Sequence, residues 1–204
     1  ILAENGSRDR TQALAEELAT QHPELTWFHC PTPNYGAALR AGIARARGEF
    51  VICEEIDLCD VAFHKRAYTI LLANEADFVI GSKAMVGARD RRPWVRRAAT
   101  RVYNGMLRAL LGFHGTDTHG LKAFRRALVT PVVDRCIVDA DVFASELVIR
   151  SERTGVRMLE VPIELAEKRA PSVHLFRRVP RVLRQVTRLV GSIRFGVDPL
   201  APRE

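Results

Sequence analysis

Two kinds of residue in this sequence could do chemistry together: carboxylates that follow an apolar run, and cations gathered in blocks. Phe50-Val51-Ile52-Cys53 reads as a buried strand that leads into Glu54-Glu55-Ile56-Asp57. Carboxylates at such a strand exit stand where open α/β sheets bind ligands. Glu55 and Asp57, one residue apart, can hold a divalent cation and through it a diphosphate. Asp60 can assist, or it can serve as N-cap of the next helix. Upstream, Glu4-Asn5-Gly6-Ser7-Arg8-Asp9 lies between a strand and a helix. Locally it is a turn with Ser7 or Asp9 as cap; functionally it offers Glu4 or Asn5 to a nucleotide base or ribose.

The cations are unevenly placed within a net charge of +7. Lys83 to Arg108 holds eight Lys/Arg against the single acid Asp90, and Lys168 to Val197 holds eight with no acid. Two such blocks flanking an acidic cluster suit a phosphate-bearing ligand, a membrane surface or a solvated face. A nucleic-acid surface would interleave aromatics with its basic residues, and these segments have few, so nucleic acid ranks last.

Elements must hold these groups together. A chain of 204 residues makes one domain, or one with an appendage. Its 47% hydrophobic and 27% charged residues exclude a disordered class. No apolar run reaches the roughly 18 residues of a membrane span. Four cysteines without a CxxC pair read as reduced thiols of a cytosolic protein, with no zinc site. Apolar runs alternate with helical periodicity, the pattern of βαβ units and a mainly parallel sheet.

Helices are expected at Thr11–Gln21, with Leu14, Ala15, Leu18 and Ala19 inward, and at Tyr35–Arg47, capped by Gly48. Others are expected at Phe63–Asn74, Trp94–Leu111 and Val142–Arg153. Strands are expected at Ile1–Ala3, Leu25–Cys30, Phe50–Glu54, Phe78–Ile80 and Val156–Val161. Trp94 and Tyr103 are expected in the core or at an interface. The last helix, Pro180–Phe195, places Val179, Val182, Leu183, Val186, Leu189, Val190 and Ile193 on one side and Arg181, Arg184 and Arg188 on the other. It can pack on the domain or lie in a membrane interface.

These segments, in this order, resemble family-2 glycosyltransferases over nearly the whole chain. Glu4-Asn5-Gly6-Ser7-Arg8-Asp9-Arg10-Thr11 is similar to the family's Asp-Asp-Gly-Ser-x-Asp-x-Thr. The stretch Asn34 to Gly48 resembles its second helix, and Glu55-Ile56-Asp57 takes the place of its Asp-x-Asp. Gly81-Ser82-Lys83, Asp117 to Arg126, Phe143 to Leu147 and Gly155 to Ile163 resemble the dolichyl/polyprenyl-phosphate sugar synthase branch. Three positions differ from that pattern: Glu55 for Asp, His119 within a shortened Asp-Thr-Gln-Cys-Gly, and Ala144 for Asp, which leaves Glu146 without its usual companion.

The resemblance implies a GT-A, Rossmann-like α/β fold whose first strand is missing ahead of Ile1, with an amphipathic C-terminal helix. It implies a glycosyltransferase domain over 1–167 and a basic helix and tail over 168–204. The expected activity is inverting transfer of a sugar from a nucleotide-sugar donor, of GDP-mannose or UDP-glucose type, to a polyprenyl phosphate at the cytoplasmic membrane face. Mg²⁺ or Mn²⁺ would be held by Asp57 and Glu55. Glu4, Asn5, Gly6, Ser7, Asn34, Gly36, Leu39, Glu55 and Ile56 would surround the donor. Lys83, Arg97 and Lys122 would meet phosphates, and Asp57, Asp117 and Lys122 would act at the reacting centre. An ionised phosphate acceptor needs no strong base, so Asp117 better fits orientation of sugar hydroxyls. A non-lipid acceptor and a catalytically silent nucleotide-sugar or membrane-binding module remain alternative readings.

Overall fold

The computed structural model describes residues 1–56, 58–165 and 175–196, with side chains of the last segment from Val179 onward. Strands and helices alternate: β1 (Leu2–Asn5), α1 (Thr11–Gln21), β2 (Trp27–Cys30), α2 (Tyr35–Arg45), β3 (Phe50–Cys53), α3 (Val61–Leu72), β4 (Phe78–Ser82) and β5 (Arg89–Asp90). Then come α4 (Trp94–Leu111), β6 (Leu121–Arg125), α5 (Arg126–Arg135), a 3-10 turn (Ala140–Val142), α6 (Phe143–Arg153), β7 (Met158–Pro162), β8 (Glu164–Leu165) and α7 (Leu175–Phe195).

The central sheet has the order β3-β6-β4-β7. Strand β6 runs antiparallel to β3 and β4, whereas β4 and β7 are parallel. Two parallel pairs, β1 with β2 and β5 with β8, complete the strands. Strands β3, β4 and β7 therefore deliver their carboxyl ends to one rim, and β6 begins there. Side chains alternate across the sheet with period two. The row Val51–Phe124–Phe78–Met158 faces a core shared with Leu107, Leu147, Val186 and Leu189. The opposite face packs Val79, Ala123 and Val161 against Phe63, Ala67 and Leu71 of α3. On the first face, the next row toward the rim is Cys53–Lys122–Ile80–Glu160. Two charges thus stand where the apolar core ends.

Local signals account for most boundaries. Asp9 Oδ1 accepts from Thr11 N at 3.0 Å at the start of α1, and Asp60 Oδ1 accepts from Phe63 N at 2.8 Å at the start of α3. Gly112, with φ of +66°, ends α4 in the left-handed conformation that glycine adopts freely. Several expectations need correction. Helix α2 ends at Arg45, and Ala46 leaves in an extended conformation, so Gly48 is not its cap. On α1 only Ala15 is buried, while Leu14 and Leu18 are exposed, because the narrow β1–β2 pair covers a single stripe of the helix. Trp94 is exposed and so lies outside the core, which leaves the interface reading, since α4 turns its Asn104, Leu107 and Leu111 inward.

Strand β6 and helix α5 carried no clear sequence signal. Lys122 and Arg125 interrupt the hydropathy of β6, and Pro131 interrupts α5. In α7, Val186 and Leu189 are buried in the main core, while Val179 and Leu183 are exposed beside Arg181, Arg184 and Arg188. The packing reading thus holds for one part of the apolar side. The expected domain division at 167/168 lies outside the described residues.

Candidate functional site

The site is built at the rim where β3 and β4 end and β6 begins. Lys83 follows β4, and Asp117 lies in the loop before β6; Lys83 Nζ donates to Asp117 Oδ2 at 2.7 Å, with both side chains almost wholly buried. Asp117 Oδ1 also accepts from His119 N at 2.9 Å. Burial works against ionisation of Asp117, but the Lys83 ammonium and these hydrogen bonds hold its carboxyl below the usual range. Gly120 is required here, because a Cβ on it would lie 1.8 Å from the Gly81 carbonyl oxygen.

Lys122 is 2% exposed and donates to the Gly120 carbonyl at 2.7 Å. Its ion-pair position is empty of carboxylate among the described residues, and burial pushes its pKa down to about 8. It lines a narrow crevice with Tyr35 and Leu39 of α2, Glu54, Glu55, Leu58 and His119. An ammonium kept dry and short of acceptors is prepared for an anion.

Of the acids at the strand exit, Glu54 is committed locally: its oxygens accept from Asp60 N at 2.5 Å and meet His64 Nε2 at 2.7 Å. Glu55 is exposed at the crevice mouth and close enough to Lys122 to act on its charge. Ile56 is 73% exposed, and Asp57 lies outside the described residues. A small divalent cation needs only one or two protein carboxylates when substrate phosphates and waters complete its shell. The oxygen donor of Glu55 fits that role. Among the described residues no three His, Cys, Asp or Glu gather as a metal cage.

The turn after β1 frames the other side. The Glu4 side chain is buried and accepts from Ser7 N at 2.5 Å, and it pairs with His29 Nδ1. Burial opposes its ionisation, but the bonds from Ser7 and His29 lower its pKa. Gly6 has φ of +69°, and a Cβ there would press on Pro33 at 2.8 Å. Asn5 Oδ1 accepts from Asn34 N at 2.6 Å; Asn34 Oδ1 accepts from Ala37 N at 3.1 Å, capping α2, and from Ala140 N at 2.8 Å. Gly36 allows α2 to meet the 3-10 turn, since its Cβ would lie 2.6 Å from Ala140 N and Phe143 Cβ. Asn5 and Asn34 therefore fix the start of α2, whose Tyr35 and Leu39 line the crevice.

His119 serves that architecture. Its Nε2 meets the Asp141 carbonyl at 2.9 Å, and a carbonyl only accepts, so Nε2 carries the proton. Nδ1 therefore accepts, from the Thr118 hydroxyl at 3.2 Å or the Ser145 hydroxyl at 3.5 Å, and Ser145 also bonds Thr118 at 2.8 Å and Tyr103 OH at 2.9 Å. Desolvation of the ring, with Lys83 and Lys122 nearby, lowers its pKa and keeps it neutral, although one edge reaches solvent. Glu146 is fully buried; it accepts from Ile137 N and Val138 N, the latter at 2.7 Å, and from Arg150 Nε at 2.7 Å.

Beyond Lys83, a cleft of about 420 Å³ opens between the 84–91 segment and α4. Its walls carry Arg89, Arg91, Arg97 and Arg101 against the one acid Asp90. Asp90 is held by a two-pronged bond from Arg92, at 2.9 and 2.7 Å, and Arg91 pairs with Glu164 at 2.5 Å, so the positive charge of the cleft rests on Arg89, Arg97 and Arg101. Of the expected phosphate contacts, Lys122 lies in the crevice and Arg97 in the cleft, with Lys83 between them.

A twisted α/β sheet with a cationic, carboxylate-bearing rim is the framework of GT-A glycosyltransferases. The model of glycosyl transferase family 2 matches residues 1–130, and the chain belongs to that family. It is 27% identical to glycosyltransferase AglD of Haloferax volcanii over 95% of this chain and 34% of that protein. It is 31% identical to polyprenol monophosphomannose synthase of Mycolicibacterium smegmatis, over 82% of this chain and 66% of the relative. The chain thus spans between a third and two thirds of these relatives' lengths. Among solved structures, glucosyl-3-phosphoglycerate synthase of Mycobacterium tuberculosis, crystallised with Mn²⁺, UDP-glucose and phosphoglyceric acid, superposes with a TM-score of 0.62 at 22% identity, covering 92% of this chain and 65% of that one. That likeness establishes the GT-A fold.

Proposed function

We propose that this chain moves a sugar from a nucleotide-sugar donor to a polyprenyl phosphate. One observation carries the reading: the Lys83–Asp117 pair stands between a crevice holding the buried ammonium of Lys122 and a cleft lined with guanidiniums. Two anions must meet in line without repelling each other, and separate cationic pockets on one rim do that. The donor diphosphate lies by Lys122 and Glu55, with Ile56, Leu39 and the turn Glu4–Ser7 around the nucleotide. Glu55 and Asp57 would hold Mg²⁺ or Mn²⁺, which when bound offsets charge on the departing diphosphate. The acceptor phosphate lies against Arg97 and its neighbours in the cleft.

The acceptor oxygen attacks the anomeric carbon as the bond to the diphosphate breaks, and the nucleoside diphosphate leaves with the electron pair. A phosphomonoester is already largely ionised at neutral pH, so no residue has to take its proton. Asp117 orients sugar hydroxyls, and Lys122 neutralises the leaving group. The exposed Arg181, Arg184 and Arg188 of α7, with Val179 and Leu183 beside them, are suited to an anionic lipid surface on the cytoplasmic face. No helix among the described residues is long and apolar enough to cross a membrane.

A second acceptor class has its own support, because the structurally similar synthase was crystallised with phosphoglyceric acid. The cleft chemistry suits either phosphate. A thermal-shift screen with GDP-mannose and UDP-glucose, with and without Mn²⁺, tests the donor half: a metal-dependent rise in melting temperature is expected, and no response to any nucleotide sugar refutes it. Transfer of radiolabelled sugar to polyprenyl phosphate rather than to 3-phosphoglycerate decides the acceptor.

A further inference from the structure

Glu160 lies on β7, two strands from Lys122, and projects to the same face of the sheet through Ile80. Its oxygens do not point at the crevice or the cleft. Oε1 accepts from Thr116 N at 2.7 Å and from Asp117 N at 3.2 Å, and Oε2 accepts from the Thr116 hydroxyl at 2.5 Å. The Thr116 hydroxyl accepts in turn from Ser82 at 2.6 Å, and Ser82 Oγ accepts from Ala84 N and Met85 N at 3.1 and 3.2 Å. A single carboxylate therefore ties the loop bearing Asp117 to the end of β4 bearing Lys83, and to the first residues of the cleft wall. The other flank of the loop is held by α4, where Asn104 Nδ2 donates to Thr116 O at 2.8 Å and Arg108 Nε to Gly115 O at 3.0 Å. Gly115 leaves room for the contact, since a Cβ there would lie 2.6 Å from Glu160 Oε1.

We propose that Glu160 is the positioning residue of the Lys83–Asp117 pair. The loop from Phe113 to Gly120 belongs to no strand or helix, and the N–H groups of His114, Thr116, Asp117 and His119 find their partners in side chains. Glu160 supplies them at the two residues where placement matters, Asp117 and the one before it. It touches neither reactant; it sets where Asp117 and Lys83 stand relative to the two pockets. Displacing such groups by about 1 Å lowers group-transfer rates by about 100-fold.

The proposal rests on the sugar-transfer reading for its kinetic test, and its structural test stands apart from that reading. In the full chain, Glu160→Ala is expected to lower kcat about 100-fold, with KM for the nucleotide sugar changed less than about threefold, because Glu160 bonds directly to Thr116 and Asp117 and not to the crevice residues His119 and Lys122. Glu160→Gln is expected to retain most of kcat: its amide oxygen accepts both N–H groups, and its NH₂ donates to the Thr116 hydroxyl. Amide hydrogen exchange at Thr116 and Asp117 is expected to speed up in the Ala variant and not in Gln, with β4 and β6 still protected. If Glu160→Ala does not fold, Glu160→Asp, one methylene shorter, takes its place in both measurements. Unchanged kcat in the Ala or Asp variant overturns the proposal. So does a parallel loss in the Gln variant, or exchange that rises across the whole sheet. If the wild-type chain transfers no sugar, the functional reading fails, and the exchange comparison alone decides whether Glu160 holds the loop.

Discussion

Lys122 shows how the role proposed for one residue opposes stability. Its ammonium is 2% exposed, with the Gly120 carbonyl as acceptor, so burial disfavours the charged form and its pKa falls to about 8. Between that value and the free-lysine value near 10.4 the unfolded chain binds more protons than the folded one, so stability rises with pH across this window. Lys122→Met is expected to raise the melting temperature at pH 7 by about 4 °C and to weaken nucleotide-diphosphate affinity at least tenfold. Scanning calorimetry should show the stability gap closing above pH 8, and a gap that widens would refute the account. Asp117 behaves oppositely. Its folded pKa is below the free value of 3.8, so its contribution is present above that pH and is lost as pH falls through the folded value. Asp117→Asn leaves the Lys83 ammonium buried without a counter-charge, and urea unfolding at pH 7 is expected to show a loss of about 3 kcal/mol.

At the scale of elements, two junctions carry the site. Helix α2 approaches the 3-10 turn only because Gly36 has no side chain. Gly36→Ala puts a Cβ against backbone that cannot retreat easily, and is expected to cost about 1–3 kcal/mol in chemical denaturation, with weaker donor binding as Asn34 shifts. Helix α7 divides its work between Leu189, fully buried in the core, and arginines that face solvent. Leu189→Ala is expected to destabilise by about 2–5 kcal/mol. Replacing Arg181, Arg184 and Arg188 with Gln is expected to leave the melting temperature within about 2 °C, because exposed charges contribute little to folding. The same triple change should reduce co-sedimentation with anionic vesicles; equal sedimentation would remove the membrane role. Sequence periodicity placed α7 and its two sides, but which apolar residues were core and which exposed depended on α4 and on the 3-10 turn packed against it.

For the whole molecule, patterns of short range were enough to place most of the strands and helices, to offer Asp9 and Asp60 as caps, and to show the family through motifs spread from Glu4 to Ile163. Period-two and period-3.6 hydropathy and side chain to backbone capping act within a few residues, so they can be read along a chain. Strand β6 escaped because Lys122 and Arg125 break its hydropathy, and its place between β3 and β4 is settled by pairing with residues about 40 to 75 positions earlier. That pairing alone makes Lys122 a buried cation instead of a surface one. It sets the Lys122–Ile80–Glu160 row, from which Glu160 reaches the loop of Asp117. A charge inside the otherwise apolar Met158-Leu159-Glu160-Val161 was the only local hint of that role. The residue types able to handle phosphate belonged to the sequence; which of them meet, and which are deprived of water, was decided by sheet order, because desolvation and ion pairing act through space.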